Sequence, residues 1–317
     1  MIGVIDELFD RAVFPSFTNI GYMLRRPFWR RADLEVDLAG RVAIVTGASS
    51  GLGKATASEL AARGAEVWLL VRDLTRGNKV LEELSKKTGN EKLRVEEVDL
   101  SSQQSIRAFV RRFRRKSKRL DLLVNNASVL LDKRQESVDG IELTFATNTL
   151  GYFLLTQLLI PVLEQSAPSR VINVSSGGMY AVRLHPEDLE YKKRPYDGVR
   201  AYAETKRAEV VLTDCWSKEY EGRGIFFASM HPGWVDTPGL ARSLPRFYKL
   251  MRPFLRTPRQ GADTILWLAV CPTISQADSG LFWFDRRSRP KHILSSTYNT
   301  DAEISQFLRE CVNLTSR

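Results

Sequence analysis

Cysteine and histidine are scarce in this 317-residue chain. The three cysteines, Cys215, Cys271 and Cys311, are odd in number and widely spaced. That excludes a disulfide framework and suits a reducing compartment. The three histidines, His185, His231 and His292, stand alone and give no zinc signature, so no metal site is expected. Long hydrophobic runs are missing as well, since none approaches the roughly 20 apolar residues that span a bilayer. Nor does the start read as a secretory leader, because Asp6, Glu7 and Asp10 precede any apolar stretch. Internal repeats and low-complexity segments are absent. A cytoplasmic location is the default expectation.

Positive charge, by contrast, is in excess. The formal net charge is +10, with 26% charged and 43% hydrophobic residues, ordinary for a globular chain apart from the imbalance. Arg25, Arg26, Arg30 and Arg31 cluster beside Phe28 and Trp29, and a second cluster runs from Arg111 to Lys116, extended by Lys118 and Arg119. In the latter, Ile106, Phe109, Val110 and Phe113 fall at helical spacing, which makes the basic residues the solvent face of a core-packed helix. Attraction to anionic lipid head groups is the sharper alternative. Nucleic acid is not an expected partner, because no recognition motif accompanies the charge.

The chain has a regular rhythm from Arg41 onward. Val42–Val45, Val67–Val71, Leu93–Val98, Leu122–Val124, Val171–Val174, Ile225–Met230 and Leu281–Phe284 read as short apolar strands. Helical patterns lie between them, including a long one from about Ile141 to Leu163 that stops near Pro161. Alternating β and α elements predict one α/β domain, a Rossmann-type doubly wound parallel sheet with its crevice at the carboxyl ends of the strands. The expected layout is an extension over residues 1–40, the domain over 41–285 and a polar tail over 286–317. The extension, apolar and aromatic from Val13 to Leu24, has two open readings: packing on the domain or lying on a membrane surface.

Two motifs carry chemistry. Thr46-Gly47-Ala48-Ser49-Ser50-Gly51-Leu52-Gly53 follows the first strand and opens a helix. Small residues there let the backbone turn tightly and approach a pyrophosphate, which the helix N-terminus binds through its N–H groups and dipole. Thr46, Gly47, Ser50, Gly51, Leu52 and Gly53 are therefore candidate dinucleotide contacts. About 150 residues on, Tyr202-Ala203-Glu204-Thr205-Lys206 sets Tyr202 and Lys206 one helical turn apart on one face. A free tyrosine, with a pKa of about 10, is a poor proton donor near neutrality, and a neighbouring ammonium favours its phenolate. Ser176 can hydrogen-bond a substrate oxygen, and Asn148 can fix a water that links Lys206 to solvent.

With the spacing Thr-Gly-x-x-x-Gly-x-Gly, the chain resembles the short-chain dehydrogenase/reductase family from about Leu38 to Asp285. Asp99-Leu100 matches the pair that flanks the adenine. Asn125-Asn126-Ala127 matches the motif after strand four, with Ser128 where glycine usually follows; Asn126 is counted among the cofactor contacts. Asn148, Ser176, Tyr202 and Lys206 match the catalytic tetrad. Pro232-Gly233-Trp234-Val235-Asp236-Thr237 matches the segment that holds a nicotinamide carboxamide, so Pro232, Gly233, Val235 and Thr237 join the cofactor set with Tyr202 and Lys206. The resemblance implies an NAD(P)-dependent oxidoreductase, with dimers or tetramers usual.

In that family an acidic residue ending strand two binds the ribose 2′-hydroxyl of NAD. Here Val71 takes that place and Arg72 follows, which favours NADP(H); Lys54 adds charge, and Asp73 keeps NAD(H) as the alternative. The long interval from Ser176 to Tyr202 resembles the retinol-dehydrogenase-like branch. Residues 238–258, rich in Leu, Phe, Tyr and Met, have the position of a substrate lid. They suggest a hydrophobic carbonyl or alcohol, with packing or a homo-oligomer contact as the competing use. The competing function is a catalytically weak nucleotide-binding or membrane-peripheral protein on the same fold.

Overall fold

The computed structural model describes residues 13–316. Eight strands form one sheet: β1 (Val42–Thr46), β2 (Glu66–Val71), β3 (Leu93–Glu97), β4 (Leu122–Asn125), β5 (Ser169–Val174), β6 (Ile225–His231), β7 (Phe282–Phe284) and β8 (Arg287–Arg289). Their order is β3-β2-β1-β4-β5-β6-β7-β8, parallel except for β8 against β7. The chain reverses direction across the sheet between β1 and β4, which opens a crevice at the strands' carboxyl ends. The expected doubly wound Rossmann-type sheet is what forms.

Both faces are covered because successive residues of each strand point to opposite sides. Val42 and Ile44 pack with Trp68, Phe109 and Phe113 in one core layer, while Ala43 and Val45 pack with Leu60, Leu69 and Ile265 in the other. The basic helix Gln103–Lys116 buries Ile106, Phe109, Val110 and Phe113 as its spacing predicts. Part of its charge is already paired: Arg112 and Lys116 lie 2.9 and 3.0 Å from Glu96. The helix Leu143–Gln165 runs through Pro161 and departs from the expected stop there. It is also long and apolar enough to cross a membrane, contrary to the expectation that no such stretch exists, yet 83% of its apolar window is buried inside the protein, as in a core helix.

Two segments outside residues 41–285 pack on the domain. Residues 13–34 do not stand apart: short helices Val13–Phe17 and Asn19–Arg25 pack against the domain through buried Arg25, 2.8 Å from Asp285. The last segment includes the helix Asp301–Thr315, capped by a Thr300–Glu303 box, and it buries Phe307, Cys311 and Leu314 in the core. The unanticipated strand β8 follows a two-residue turn, Asp285-Arg286, whose φ values of 49° and 59° lie in the left-handed region. Such a turn suits the twist of a β-hairpin, and ion pairs hold both non-glycine residues there: Asp285 to Arg256 at 2.6 Å and Arg286 to Asp263 at 2.7 Å.

Candidate active site

The crevice is built first by close backbone approach. Thr46 ends β1, and its buried hydroxyl accepts from the backbone N–H of Asn126 (2.8 Å) and Ala127 (3.0 Å) while donating to the Val124 carbonyl. The Asn126 amide donates back to the Thr46 carbonyl at 2.8 Å, so these two residues stitch β1 to β4. Gly47 has a φ of +65°, and a Cβ there would lie 2.8 Å from the Ala127 Cα. A Cβ on Gly53 would lie 2.5 Å from both the Asn126 amide nitrogen and the Gly47 carbonyl oxygen. Side chains at either place would fill the cradle or displace its walls. Ser50 precedes the helix Gly51–Ala62 without capping it by its side chain, and no acid sits in the first turn. The helix N-terminus is therefore left with donors and a dipole suited to an anion. Gly51 comes within reach of Thr237, which caps the next helix, Pro238–Ser243, and Leu52 packs beside Val235.

Arg72 and Asp73 follow β2 and are both exposed. They differ in what they are free to do. Asp73 caps the helix Leu74–Thr88, accepting from the Arg76 N–H at 3.0 Å, whereas Arg72 has no ion pair among the described residues. Lys54 does not add to that charge, because it pairs with Glu83 at 2.6 Å. Asp99 closes a local turn, accepting from the Ser101 N–H (2.8 Å) and hydroxyl (2.7 Å), and Leu100 is buried where Gly151 approaches its carbonyl.

The tetrad comes from three elements. Ser176 follows β5, with its Oγ 3.4 Å from the Gly178 N–H, and that turn packs on Ala203 beside Tyr202. Among the described residues the Tyr202 hydroxyl has no hydrogen-bond partner. The Lys206 ammonium lies 5.4 Å from the centre of the Tyr202 ring, buried, donating to the Val174 carbonyl (2.9 Å) and to Glu209 (2.7 Å). Asn148 occupies a π-turn, Ala146–Leu150. Its amide accepts from the Val129 N–H (2.8 Å) and donates to the Val129 carbonyl and the Thr205 hydroxyl. That amide braces the Tyr202 helix against the loop after β4.

Residues 41–246 match the short chain dehydrogenase family. The chain belongs to that family. It is 42% identical over 303 residues to dehydrogenase/reductase SDR family member 12 of Bos taurus, covering 95% of each chain. Retinol dehydrogenase 11 of Mus musculus is 36% identical over 282 residues, covering 85% of this chain and 87% of that one. Among solved structures, a protein from Mycobacterium paratuberculosis superposes with a TM-score of 0.70 at 28% identity, covering 91% of this chain and 97% of that one. A short chain dehydrogenase from Escherichia coli CFT073, complexed with NADPH, gives 0.65 at 25% identity, covering 81% and 100%.

In this short-chain dehydrogenase two further side chains border the site from outside the motifs. His231, ending β6, accepts from the Gly177 N–H at 3.0 Å and so orients the Ser176 turn. Burial, with Arg256 nearby, pushes its pKa down to about 3 and keeps it neutral. Phe17 packs on His231 with ring centres 4.4 Å apart and accepts from the Trp234 N–H at 2.7 Å through its carbonyl. The N-terminal segment therefore walls the serine side of the crevice. Glu209 is the other, three residues beyond Lys206; the spacing Tyr202, Lys206, Glu209 at i, i+4 and i+7 was the available signal. Helices Pro238–Ser243 and Pro245–Met251 make up the segment expected as a lid, with Met251 and Leu255 buried and Leu250 exposed.

Proposed function

We propose that this short-chain dehydrogenase reduces a hydrophobic carbonyl with NADPH, or oxidises the corresponding alcohol with NADP, and that Tyr202 is its acid/base. One arrangement carries the reading: a Tyr202 hydroxyl with no hydrogen-bond partner among the described residues, its ring 5.4 Å from a buried ammonium, next to the Ser176 turn, in a crevice opened by glycines. When bound, the nicotinamide supplies or takes the hydride at the carbon under attack. Thr46, Gly47, Ser50, Gly51, Leu52 and Gly53 would line the pyrophosphate, Asp99, Leu100 and Asn126 the adenosine side, and Pro232, Gly233, Val235 and Thr237 the nicotinamide. Arg72, with no ion pair among the described residues while Asp73 caps its helix, supports a 2′-phosphate, as do solved relatives complexed with NADPH or NADP.

Tyr202 gives its proton to the carbonyl oxygen as charge develops there, and Ser176 donates a hydrogen bond to the same oxygen. Lys206 favours the phenolate that remains. Asn148 acts through position, fixing the Tyr202 helix. Tyr202→Phe should bind cofactor normally and lose turnover; retention of most activity removes Tyr202 from the mechanism.

A second reading concerns where the enzyme works. The lid and the N-terminal segment meet, with Phe14 and Phe254 ring centres 5.3 Å apart and Asn19 donating to the Pro253 carbonyl. Met23, Leu24, Phe28 and Leu250 are all more than half exposed across the two. Arg26, Arg31, Arg246, Lys249 and Arg252 are exposed among them with no ion pair among the described residues. Apolar tips between unpaired cations suit an anionic bilayer, from which a lipid-soluble substrate would enter. Flotation with anionic but not neutral vesicles, lost on Lys249→Glu/Arg252→Glu, is the expected result; equal flotation with both lipids rejects it.

A further inference from the structure

The helix Gly198–Glu219 places Tyr202, Lys206, Glu209 and Thr213 along one face, toward β5. Glu209 is fully buried there, and its side-chain exposure is 0%. One carboxyl oxygen accepts from Lys206 at 2.7 Å, while the other is buried with no hydrogen-bond partner among the described residues. An ionised carboxylate seeks hydrogen bonds on both oxygens, and burying one that lacks them costs free energy that a proton relieves. The ionisable groups that face it are few. Lys206 and Tyr202 come from its own helix and Tyr152 from the helix Leu143–Gln165, while β5 presents the Val174 carbonyl and the uncharged Asn173. Burial pushes the Glu209 carboxyl up to about 8, with Lys206 opposing.

We propose that Glu209 is a positioning residue that holds the Lys206 ammonium beneath Tyr202 and, by keeping or releasing a proton, sets whether one net positive charge or none acts on that phenol. The proposal rests on the Tyr202–Lys206 reading above. With Glu209 protonated, the pair carries one positive charge and favours the phenolate. When its O–H bond breaks and the proton leaves to solvent, the pair becomes neutral and that support is withdrawn. The pair titrates as a unit, so the event belongs to both residues. In Glu209→Gln there is no carboxyl proton to release, so this loss of charge does not occur.

Infrared spectroscopy of the purified full chain reads the carboxyl without any turnover. The wild type should show a protonated-carboxyl C=O stretch that vanishes between about pH 7 and about pH 9, well above the ordinary carboxylate range. That band should be missing in Glu209→Gln. If Glu209→Gln does not accumulate, Glu209→Asp should shift the band. No such band in the wild type, or an unchanged band in either variant, overturns the proposal. In a rate–pH profile, the alkaline limb of kcat should move up by roughly one pH unit or more in Glu209→Gln, with KM little changed. An unmoved limb overturns the coupling to Tyr202. If no carbonyl or alcohol is turned over at all, the oxidoreductase reading fails, while the infrared titration still decides the state of Glu209.

Discussion

Asp285 joins the N-terminal segment, the lid and the β7–β8 turn, and removing its charge should loosen all three. Its carboxylate takes a bidentate pair from Arg256 at 2.6 and 2.8 Å and a third bond from Arg25 at 2.8 Å. All three side chains are at most 9% exposed. Arg256 also donates to the Ser16 and Thr18 carbonyls, so the network fastens a segment more than 200 residues away in sequence. Asp285→Asn keeps the shape and tolerates the left-handed backbone but removes the carboxylate that two buried guanidinium groups share. Breaking a buried pair in this way costs about 3–5 kcal/mol, which lowers Tm by roughly 5–8 °C for a domain this size. Asp285→Ala should lose about 1–2 kcal/mol more, because alanine is unfavourable at positive φ. Calorimetry gives both values, and hydrogen exchange should show residues 13–31 opening first. The pH dependence has a definite sign. Burial raises the Asp285 pKa, but Arg256 and Arg25 outweigh it and hold the carboxyl below its usual range. Its stabilisation is therefore present above the unfolded value of about 3.9 and fades as pH falls through the folded one, so mutant and wild type should converge in acid. Equal melting of all three proteins near neutrality, with residues 13–31 still protected, would refute this account of the anchor.

Other perturbations address the site. Arg72→Ala should weaken NADPH by about tenfold or more, the loss of a charge-assisted contact, and leave NADH nearly unchanged; equal losses in a binding titration would contradict the 2′-phosphate assignment. Gly53→Ala drives a methyl to 2.5 Å from Asn126 and the Gly47 carbonyl. The expected result is a loss of about 1–3 kcal/mol in denaturant unfolding together with cofactor affinity. His231 is neutral when folded and takes a proton near pH 6.5 when unfolded, so its depressed pKa makes stability fall as pH drops below about 6.5, by up to about 1.4 kcal/mol per unit. His231→Asn should flatten that part of the stability–pH curve measured by urea unfolding.

The parts of this protein that were legible in sequence depend on local pattern. Val42–Val45 followed by the glycine turn announced β1 and its loop, and Ile106, Phe109, Val110 and Phe113 announced a packed helix, because period and turn chemistry are written within a few residues. What escaped depends on distant partners. Arg25 reads as surface charge until Asp285, 260 residues on, is brought against it. The Asp285-Arg286 turn lacks the glycine that marks most two-residue hairpins, since ion pairs rather than glycine hold its left-handed backbone. Phe307, Cys311 and Leu314 had helical spacing, but the polar composition around them masked it. Within the site, Tyr202 and Lys206 were visible as a pair, whereas Glu209 had only its helical spacing from them until burial set it against Lys206.

Direct binding of NADPH and NADH to the purified full chain, by calorimetry or nucleotide fluorescence, tests the central claim most plainly. The account predicts saturable NADPH binding about tenfold or more tighter than NADH, equivalent to about 1.4 kcal/mol or more. It also predicts that Tyr202→Phe retains that binding. Binding of neither nucleotide, or a preference for NADH, would contradict it.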